Sequence, residues 1–332
     1  MAPWTRDSIL GLGRQFTQSR VLLTAAELDV FTPLAREPLT LEEVAARVGG
    51  DLRGTRILLD ALAGMGLIVK ANAHYRCPAE VAAALSADSP TSVRPMLMHS
   101  NALWGRWSRL TDIVRGEKPS GNPLTAAYRP EEREAFIGAM HVVSQGRAPE
   151  VVDAVGAGRA RNLIDVGGAS GTYTEAFLRA CPEMRATLFD LPPVIEMARR
   201  RLEPTGLLPR ICLVAGDFLV DPMPGGHDLA FVSAIIHQNS PADNETLYRN
   251  CFRALEPGGR IVIRDHILDE TRTQPPAGAL FAVNMLTATD GGDCYTFAEI
   301  RQGLEQAGFV RVRQIAEDEQ MSGLVEAFKP RE

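Results

Sequence analysis

From about residue 161 the chain alternates short apolar runs with helix-forming stretches, and this alternation limits its possible folds more than any other feature. Residues 162–166, 186–190, 211–215, 228–232 and 260–264 each read as a short buried strand. Helices are expected between them: one ending at Ala180, one over 244–255 with Leu247, Cys251 and Leu255 on a single face, and one over 297–307. Pro257-Gly258-Gly259 turns the chain into the fifth strand, Gly308 leads into 310–314, and 324–328 closes the sheet. Such alternation implies an α/β fold, a mostly parallel, doubly wound sheet with helices on both faces. Ligands of these sheets sit at the carboxyl ends of the strands, near the reversal of strand order.

The first ninety residues have a different texture. Leu22, Leu23, Ala26 and Val30 recur at helical spacing, and Thr40 with Glu43 forms a capping box before a short helix that stops at Gly49-Gly50. Asp51 caps a further helix with Ile57, Leu58, Ala61, Leu62 and Met65 on its apolar face, and 67–70 and 74–77 read as two short strands around a turn. Three helices followed by a small hairpin is the order of a winged helix. DNA affinity rests mainly on cations facing phosphates, yet residues 1–90 hold nine Lys and Arg against ten Asp and Glu. Only Arg53 and Arg56 lie on the third helix, so a structural role is expected and no nucleic-acid partner. Residues 91–160 read as helical and connecting, with His99, Trp104 and Trp107 on one segment, Met140-His141 on another, and a loop over 116–123.

A chain of 332 residues with 45% hydrophobic and 23% charged side chains has room for about two soluble domains. A net charge of −6 leaves no cationic surface for nucleic acid or membrane. The first residues lack the charged start and apolar core of a secretory signal, and no apolar stretch is long enough to span a bilayer. Cys77, Cys181, Cys212, Cys251 and Cys294 are scattered without a CxxC pair, which argues against a disulfide framework and a zinc site. They are expected as free thiols in a reducing cytoplasm, with no metal bound.

The strongest local signal is Asp165-Val166-Gly167-Gly168-Ala169-Ser170-Gly171, set between a strand and a helix. Glycines there permit positive φ and close approach of backbone to a ligand. The spacing matches neither the dinucleotide fingerprint nor a phosphate loop, so a nucleotide-type site and a bare tight turn both stay open. The second strand ends in Asp190, whose carboxylate can accept from ribose hydroxyls and also reads as a helix cap or a solvated loop acid. The third ends in Gly216-Asp217-Phe218, an acid beside an aromatic that suits adenine. Together the three strand ends describe an adenosine site, and the lack of a diphosphate signature favours an adenosylated sulfonium.

The order D-V-G-G-x-x-G, F-D-L-P-P-V, G-D-F, a His after the fourth strand, P-G-G-R-I-V-I-R-D, then N-M-L, G-G, T-F-A-E-I and A-G-F, resembles the small-molecule O-methyltransferases. These include the plant caffeic-acid type, the acetylserotonin type and bacterial natural-product enzymes, and the resemblance covers nearly the whole chain. It implies a Rossmann-like seven-stranded methyltransferase domain over 156–332, preceded by an all-helical, winged-helix-like dimerisation domain over 1–92. A helical connector over 93–155 would contribute to the substrate pocket. It implies S-adenosylmethionine as methyl donor, S-adenosylhomocysteine as product, and a homodimer formed through the N-terminal domain. The glycine turn, with Asp165, Gly167, Gly168 and Gly171, would hold the amino-acid part of the donor. Asp190 and Leu191 would meet the ribose and Gly216, Asp217 and Phe218 the adenine, with Ser233 alongside. His237 falls where the family has its catalytic base, and Asp265 where an acid orients it.

The implied reaction is in-line displacement from an activated sulfonium, which needs positioning and a deprotonated hydroxyl. A free phenol and a free imidazole differ by roughly 3.5 pKa units, about 5 kcal/mol, which is small against an enzymic rate enhancement. The chain departs from its relatives at Ile236-His237-Gln238-Asn239, at Ser233 where several carry Lys, and at Asp293-Cys294-Tyr295 where plant relatives place a second acid. Asn239 and Tyr295 are read as local replacements in the pocket. Trp104, His141, Asn284 and Met285 are the candidates for a flat, hydroxylated acceptor, each equally readable as core. Competing readings are N- or C-methylation, a donor-binding relative with other chemistry, a ligand-sensing DNA-binding regulator, and a NAD-dependent oxidoreductase.

Overall fold

A computed structural model describes residues 3–119, 130–317, 319 and 321–332, with side chains from 136 onward in the helix that begins at 130. The 120–123 part of the expected loop lies outside them. The chain divides into two compact units, 1–105 and 106–332.

The first unit contains α1 (Arg6–Arg14), α2 (Phe16–Glu27), α3 (Phe31–Arg36), β1 (Leu39–Thr40), α4 (Leu41–Val48), α5 (Leu52–Gly64), β2 (Val69–Ala71), β3 (His74–Arg76) and α6 (Ala79–Leu85); α7 (Arg94–Trp107) runs to its boundary. Thr40 and Glu43 form the expected reciprocal cap, and Asp51 accepts from the Gly54 amide. The unit is not all helical: β3 pairs with β2 and also with β1, giving a three-stranded antiparallel sheet. Two residues before a capping box are too few to show a strand period. Val30, Phe31, Leu34, Val44, Leu59 and Leu62 fill the core. By contrast α1 buries none of its residues and exposes Ile9, Leu10 and Leu12.

The second unit begins with α8 (Leu110–Val114), α9 (Pro130–Gln145) and α10 (Ala148–Val155). Then come β4 (Asn162–Val166), α11 (Thr172–Ala180), β5 (Arg185–Asp190), α12 (Pro192–Leu202), β6 (Ile211–Ala215), β7 (His227–Ser233), α13 (Pro241–Ala254) and β8 (Leu255–Asp265). The chain ends with β9 (Ile267–Leu268), α14 (Pro276–Ala288), β10 (Tyr295–Thr296), α15 (Phe297–Gln306), β11 (Val310–Ala316) and β12 (Gly323–Phe328). The seven-stranded sheet runs β11-β12-β8-β7-β4-β5-β6. Ile164, Val166, Ala230, Ile261 and Ile263 pack on one face against Leu247, Cys251, Ile300 and Leu304 of α13 and α15. Leu163, Phe231 and Val262 pack on the other against Val151, Phe177 and Leu178 of α10 and α11. Burial on both faces is why these strands read as unbroken apolar runs.

Two details differ from the sequence reading. β12 does not close an edge; it inserts antiparallel between β8 and β11. β8 starts at Leu255, so Pro257-Gly258-Gly259 is an irregularity within the strand, with a register shift against β7. Strand order reverses between β4 and β7, so their carboxyl tips open the crevice where a ligand is expected.

Candidate functional site

The glycine turn leaves β4 and enters α11. The Gly167 amide donates to the Phe189 carbonyl at 2.8 Å, and the Gly216 amide to the Asp190 carbonyl at 2.9 Å, joining the tips of β4, β5 and β6. Gly167 has φ +67°, and a Cβ there would fall 2.4 Å from Ile235 Cδ1. Its glycine is therefore required by packing of the turn on the protein itself as well as by backbone conformation. Gly171, at φ +76°, caps α11, and Gly168 sits tight over Asp165 and Leu188.

Asp165 is buried beneath the turn, and its Oδ2 accepts from the Thr174 amide at 3.1 Å and the Thr174 hydroxyl at 2.6 Å. Burial pushes its carboxyl up to about 6, against the Thr174 bonds and with help from the charge of Asp190. Asp190 Oδ2 accepts from the Ala169 amide at 2.8 Å and Oδ1 from the Leu191 amide at 2.7 Å. Burial pushes this carboxyl up to about 6 as well, and the two amides oppose the shift. Each oxygen keeps a further lone pair, a donor-free pair of acceptors suited to a vicinal diol. Asp217 folds its own turn, with Oδ1 accepting from the Leu219 amide at 2.9 Å, and half-buried Phe218 reaches toward Gly167.

His237 stands in a 3-10 turn, Ile236–Gln238, after β7. Its Nδ1 lies 2.7 Å from Asp265 Oδ1, both groups are buried, and Phe281 meets the ring edge-on at 4.8 Å between centroids. Asp265 Oδ1 also accepts from the His266 amide, so it stays an acceptor toward the imidazole. With Asp265 ionised the ring donates from Nδ1, which in the neutral imidazole puts the lone pair on Nε2.

Asn239 and Tyr295 do not face the pocket as read from sequence. The Tyr295 hydroxyl donates to the Asn239 carbonyl, the Asn239 amide to Asn244 Oδ1 at 3.0 Å, and the Asn244 amide to the Ile236 carbonyl at 2.9 Å. They brace the turn that carries His237. Asp293 pairs with Arg272 instead, and Cys294 is buried.

Each acceptor candidate has partners of its own. Trp104, in the first unit, packs against Phe16 and beneath Arg20. In the second unit, Asn284 Oδ1 accepts from Trp107 Nε1 at 3.1 Å, and Met285 is buried on the same helix, α14. His141 Nδ1 lies 2.8 Å from Thr172 Oγ1 at the start of α11, so it belongs with the glycine turn; burial and then Arg201 hold its pKa low. Ser233 meets Arg264. Sequence reading missed Thr174, Arg201, Phe281 and Asn244. Arg201 donates to the carbonyls of Ser170 and Gly171 at 2.6 and 2.9 Å while pairing with Glu175. None carries a local signal, since each contact spans a gap in sequence.

Among the described residues no cluster of His, Cys, Asp or Glu is arranged to hold a metal, and no helix is long and apolar enough to cross a membrane.

Comparison with known proteins shows the family. The O-methyltransferase domain model matches residues 107–310, and the O-methyltransferase dimerisation domain model matches 11–85. The chain is 34% identical to the tetracenomycin polyketide synthesis 8-O-methyl transferase TcmO of Streptomyces glaucescens, over 93% of this chain and 92% of that one. It is 31% identical to chicken (Gallus gallus) acetylserotonin O-methyltransferase, over 90% of each. Human N-acetylserotonin methyltransferase, solved in complex with SAM, superposes with a TM-score of 0.85 at 28% identity over 99% of both chains. The protein belongs to the S-adenosylmethionine-dependent O-methyltransferase family.

Proposed function

We propose that this enzyme methylates a hydroxyl of a small aromatic acceptor and that His237 removes the hydroxyl proton. The observation carrying this reading is the buried 2.7 Å contact between His237 Nδ1 and Asp265 Oδ1. Asp265 holds the Nδ1–H tautomer and stabilises the imidazolium formed when Nε2 takes a proton, as a carboxylate does in a catalytic triad. Phe281 and the Asn239–Asn244–Tyr295 brace fix the ring's position, so proton acceptance needs little reorganisation. Bound S-adenosylmethionine supplies a methyl group already activated on a sulfonium.

Asp190 and Leu191 would meet the ribose, Gly216, Asp217 and Phe218 the adenine, and the turn from Asp165 through Gly167, Gly168 and Gly171, with Ser233, the amino-acid end. Asn284 and Met285 suit one face of a flat ring, with His141 as a further acceptor contact. The exposed apolar residues of α1 support a homodimer through the N-terminal unit, since water-facing Ile and Leu on one short helix favour burial against a partner. Within that reading 1–92 is the winged-helix-like dimerisation domain, 93–155 the connector and 156–332 the catalytic domain. The five free cysteines fit a reducing cytoplasm.

The test is His237→Ala assayed by mass spectrometry against a phenol and quinol library with labelled donor. Turnover should fall by about 10²–10⁴, with S-adenosylhomocysteine affinity unchanged by calorimetry. Turnover within tenfold of wild type would reject base catalysis and favour an acceptor that needs no deprotonation, such as an amine.

A further inference from the structure

Arg264 is the largest fully buried side chain among the described residues, at 2% exposure. It precedes Asp265, the last residue of β8, but points to the opposite face of the sheet, toward Tyr173 of α11. A guanidinium stays charged at any pH a folded protein meets and offers five donors. Other half-buried arginines of this unit have strong acceptors: Arg260 pairs with Glu326, Arg201 with Glu175, and Arg210 donates to the carbonyls of Leu178, Cys181 and Met184. For Arg264 the described residues supply one neutral bond, from Nη1 to Ser233 Oγ at 3.2 Å, and its buried Nε has no partner. Its carbon sits 5.4 Å from the centre of the Tyr173 ring.

Tyr173 has the complementary defect. Its hydroxyl is buried and makes no hydrogen bond at proper geometry. Its nearest polar neighbours are the hydroxyls of Ser144 on α9 and Ser233 at the tip of β7. One cation and three hydroxyls, from α9, α11, β7 and β8, thus lie together; the carboxylate within electrostatic reach of Tyr173, Asp165, makes its hydrogen bonds to Thr174, and among the described residues no carboxylate pairs with Arg264. Desolvating an unpaired charge costs several kcal/mol, and a feature of that size is retained where a ligand satisfies it.

We propose that Arg264, with the hydroxyls of Ser233 and Tyr173, receives a carboxylate of a bound small molecule. A guanidinium matches a carboxylate with paired, charge-assisted hydrogen bonds. Two sources share this chemistry: the amino-acid end of the methyl donor and a carboxylated acceptor. Position favours the first. Ser233 follows Val232, which pairs with Val166 just before the glycine turn, and Tyr173 is two residues beyond Gly171. The inference rests on the donor site proposed above and gives its charged end a partner.

Calorimetry on wild type, Arg264→Met and Arg264→Lys, with S-adenosylhomocysteine and with methylthioadenosine, tests it. Methylthioadenosine keeps the nucleoside and lacks the amino-acid end. Arg264→Met should weaken S-adenosylhomocysteine on the order of 100-fold and leave methylthioadenosine within twofold, while Arg264→Lys restores part of the loss. Ligand-free Arg264→Met should melt above wild type, because the unpaired charge is gone. If S-adenosylhomocysteine is unaffected but 4-hydroxybenzoate loses its preference over its methyl ester in binding, the acceptor supplies the carboxylate. Folded Arg264→Met or Arg264→Lys binding both carboxylates as wild type does would overturn the proposal. Wild type that binds neither nucleoside overturns the donor site itself and this inference with it.

Discussion

Two turns at the carboxyl edge of the sheet carry the proposed chemistry, and they are held by opposite means. The glycine turn is fixed by charged groups out of water. Asp165 takes the Thr174 amide and hydroxyl, Asp190 takes the Ala169 amide, and Arg201 takes the carbonyls of Ser170 and Gly171. The turn carrying His237 is fixed by neutral groups: Tyr295 on the Asn239 carbonyl, Asn239 on Asn244, and Asn244 on the Ile236 carbonyl. Asp265 is the exception, and it holds the imidazole itself. Charge-assisted bonds are roughly twice as strong as neutral ones, so the first turn is held harder, but its grip depends on protonation. The second is held more weakly, and its brace does not depend on a charge. A surface that only binds tolerates the first arrangement; one that must move a proton is better served by the second.

The largest effect should come from crowding the first turn. Gly167→Ala puts a methyl 2.4 Å from Ile235 Cδ1 on backbone at φ +67°. Overpacking and left-handed strain together should remove about 2–4 kcal/mol, read from urea denaturation, and abolish measurable S-adenosylhomocysteine binding. Ala169, already at φ +49°, shows that left-handed backbone alone is tolerated here. The second change Ile235→Val removes Cδ1 but leaves Cγ1 at 3.0 Å, and should therefore recover part of the loss. Unchanged stability in Gly167→Ala would mean the turn is far looser than its bonds imply.

Protonation comes next. The carboxyls of Asp165 and Asp190 titrate near 6 in the folded chain, against ordinary carboxyl values when unfolded. A raised folded pKa means that the native state binds protons first as pH falls. These two groups therefore add stability to the ligand-free protein as pH drops through 6, and the gain is complete below about 3.9. Ligand binding should move the other way. If ionised Asp190 accepts two ribose hydroxyls, S-adenosylhomocysteine affinity falls toward about tenfold per unit below pH 6, and Asp190→Asn flattens that slope. A flat wild-type profile between pH 7.5 and 5 would remove Asp190 from the ribose site.

The first turn was legible in sequence and the second largely was not, for the same physical reason. β4, its glycines and Asp165 are neighbours along the chain, and strand burial on both faces leaves runs such as Leu163, Ile164 and Val166. The brace of the second turn joins Asn239 to Tyr295, 56 positions apart, and no local pattern marks a hydroxyl that will meet a distant carbonyl. Family resemblance paired His237 with Asp265, and the two side chains meet, but it set Asn239 and Tyr295 in the pocket, whereas Tyr295 bonds to the Asn239 carbonyl and Asn239 to Asn244, because the motif gives position and not direction. The insertion of β12 was hidden likewise, since an apolar strand has the same appearance at an edge or between neighbours. Arg264 ends an apolar run and reads as a strand terminus, and Arg201 ends Arg199-Arg200-Arg201, which reads as a solvated face. Buried charge shows itself only through its partners.

The smallest expected effect tests the second turn alone. Tyr295→Phe removes one hydroxyl and leaves the Asn239 carbonyl, in buried surroundings, without its donor. A lost neutral hydrogen bond of this kind costs about 1 kcal/mol. Because the brace ends on the backbone beside His237, part of that should appear as misplacement of the imidazole. Turnover is expected to fall by a few-fold to about tenfold, with S-adenosylhomocysteine affinity unchanged and the acceptor's KM little altered. A variant that instead loses donor affinity would show the two turns to be mechanically one, and the division between a charged turn that binds and a neutral turn that reacts would fail.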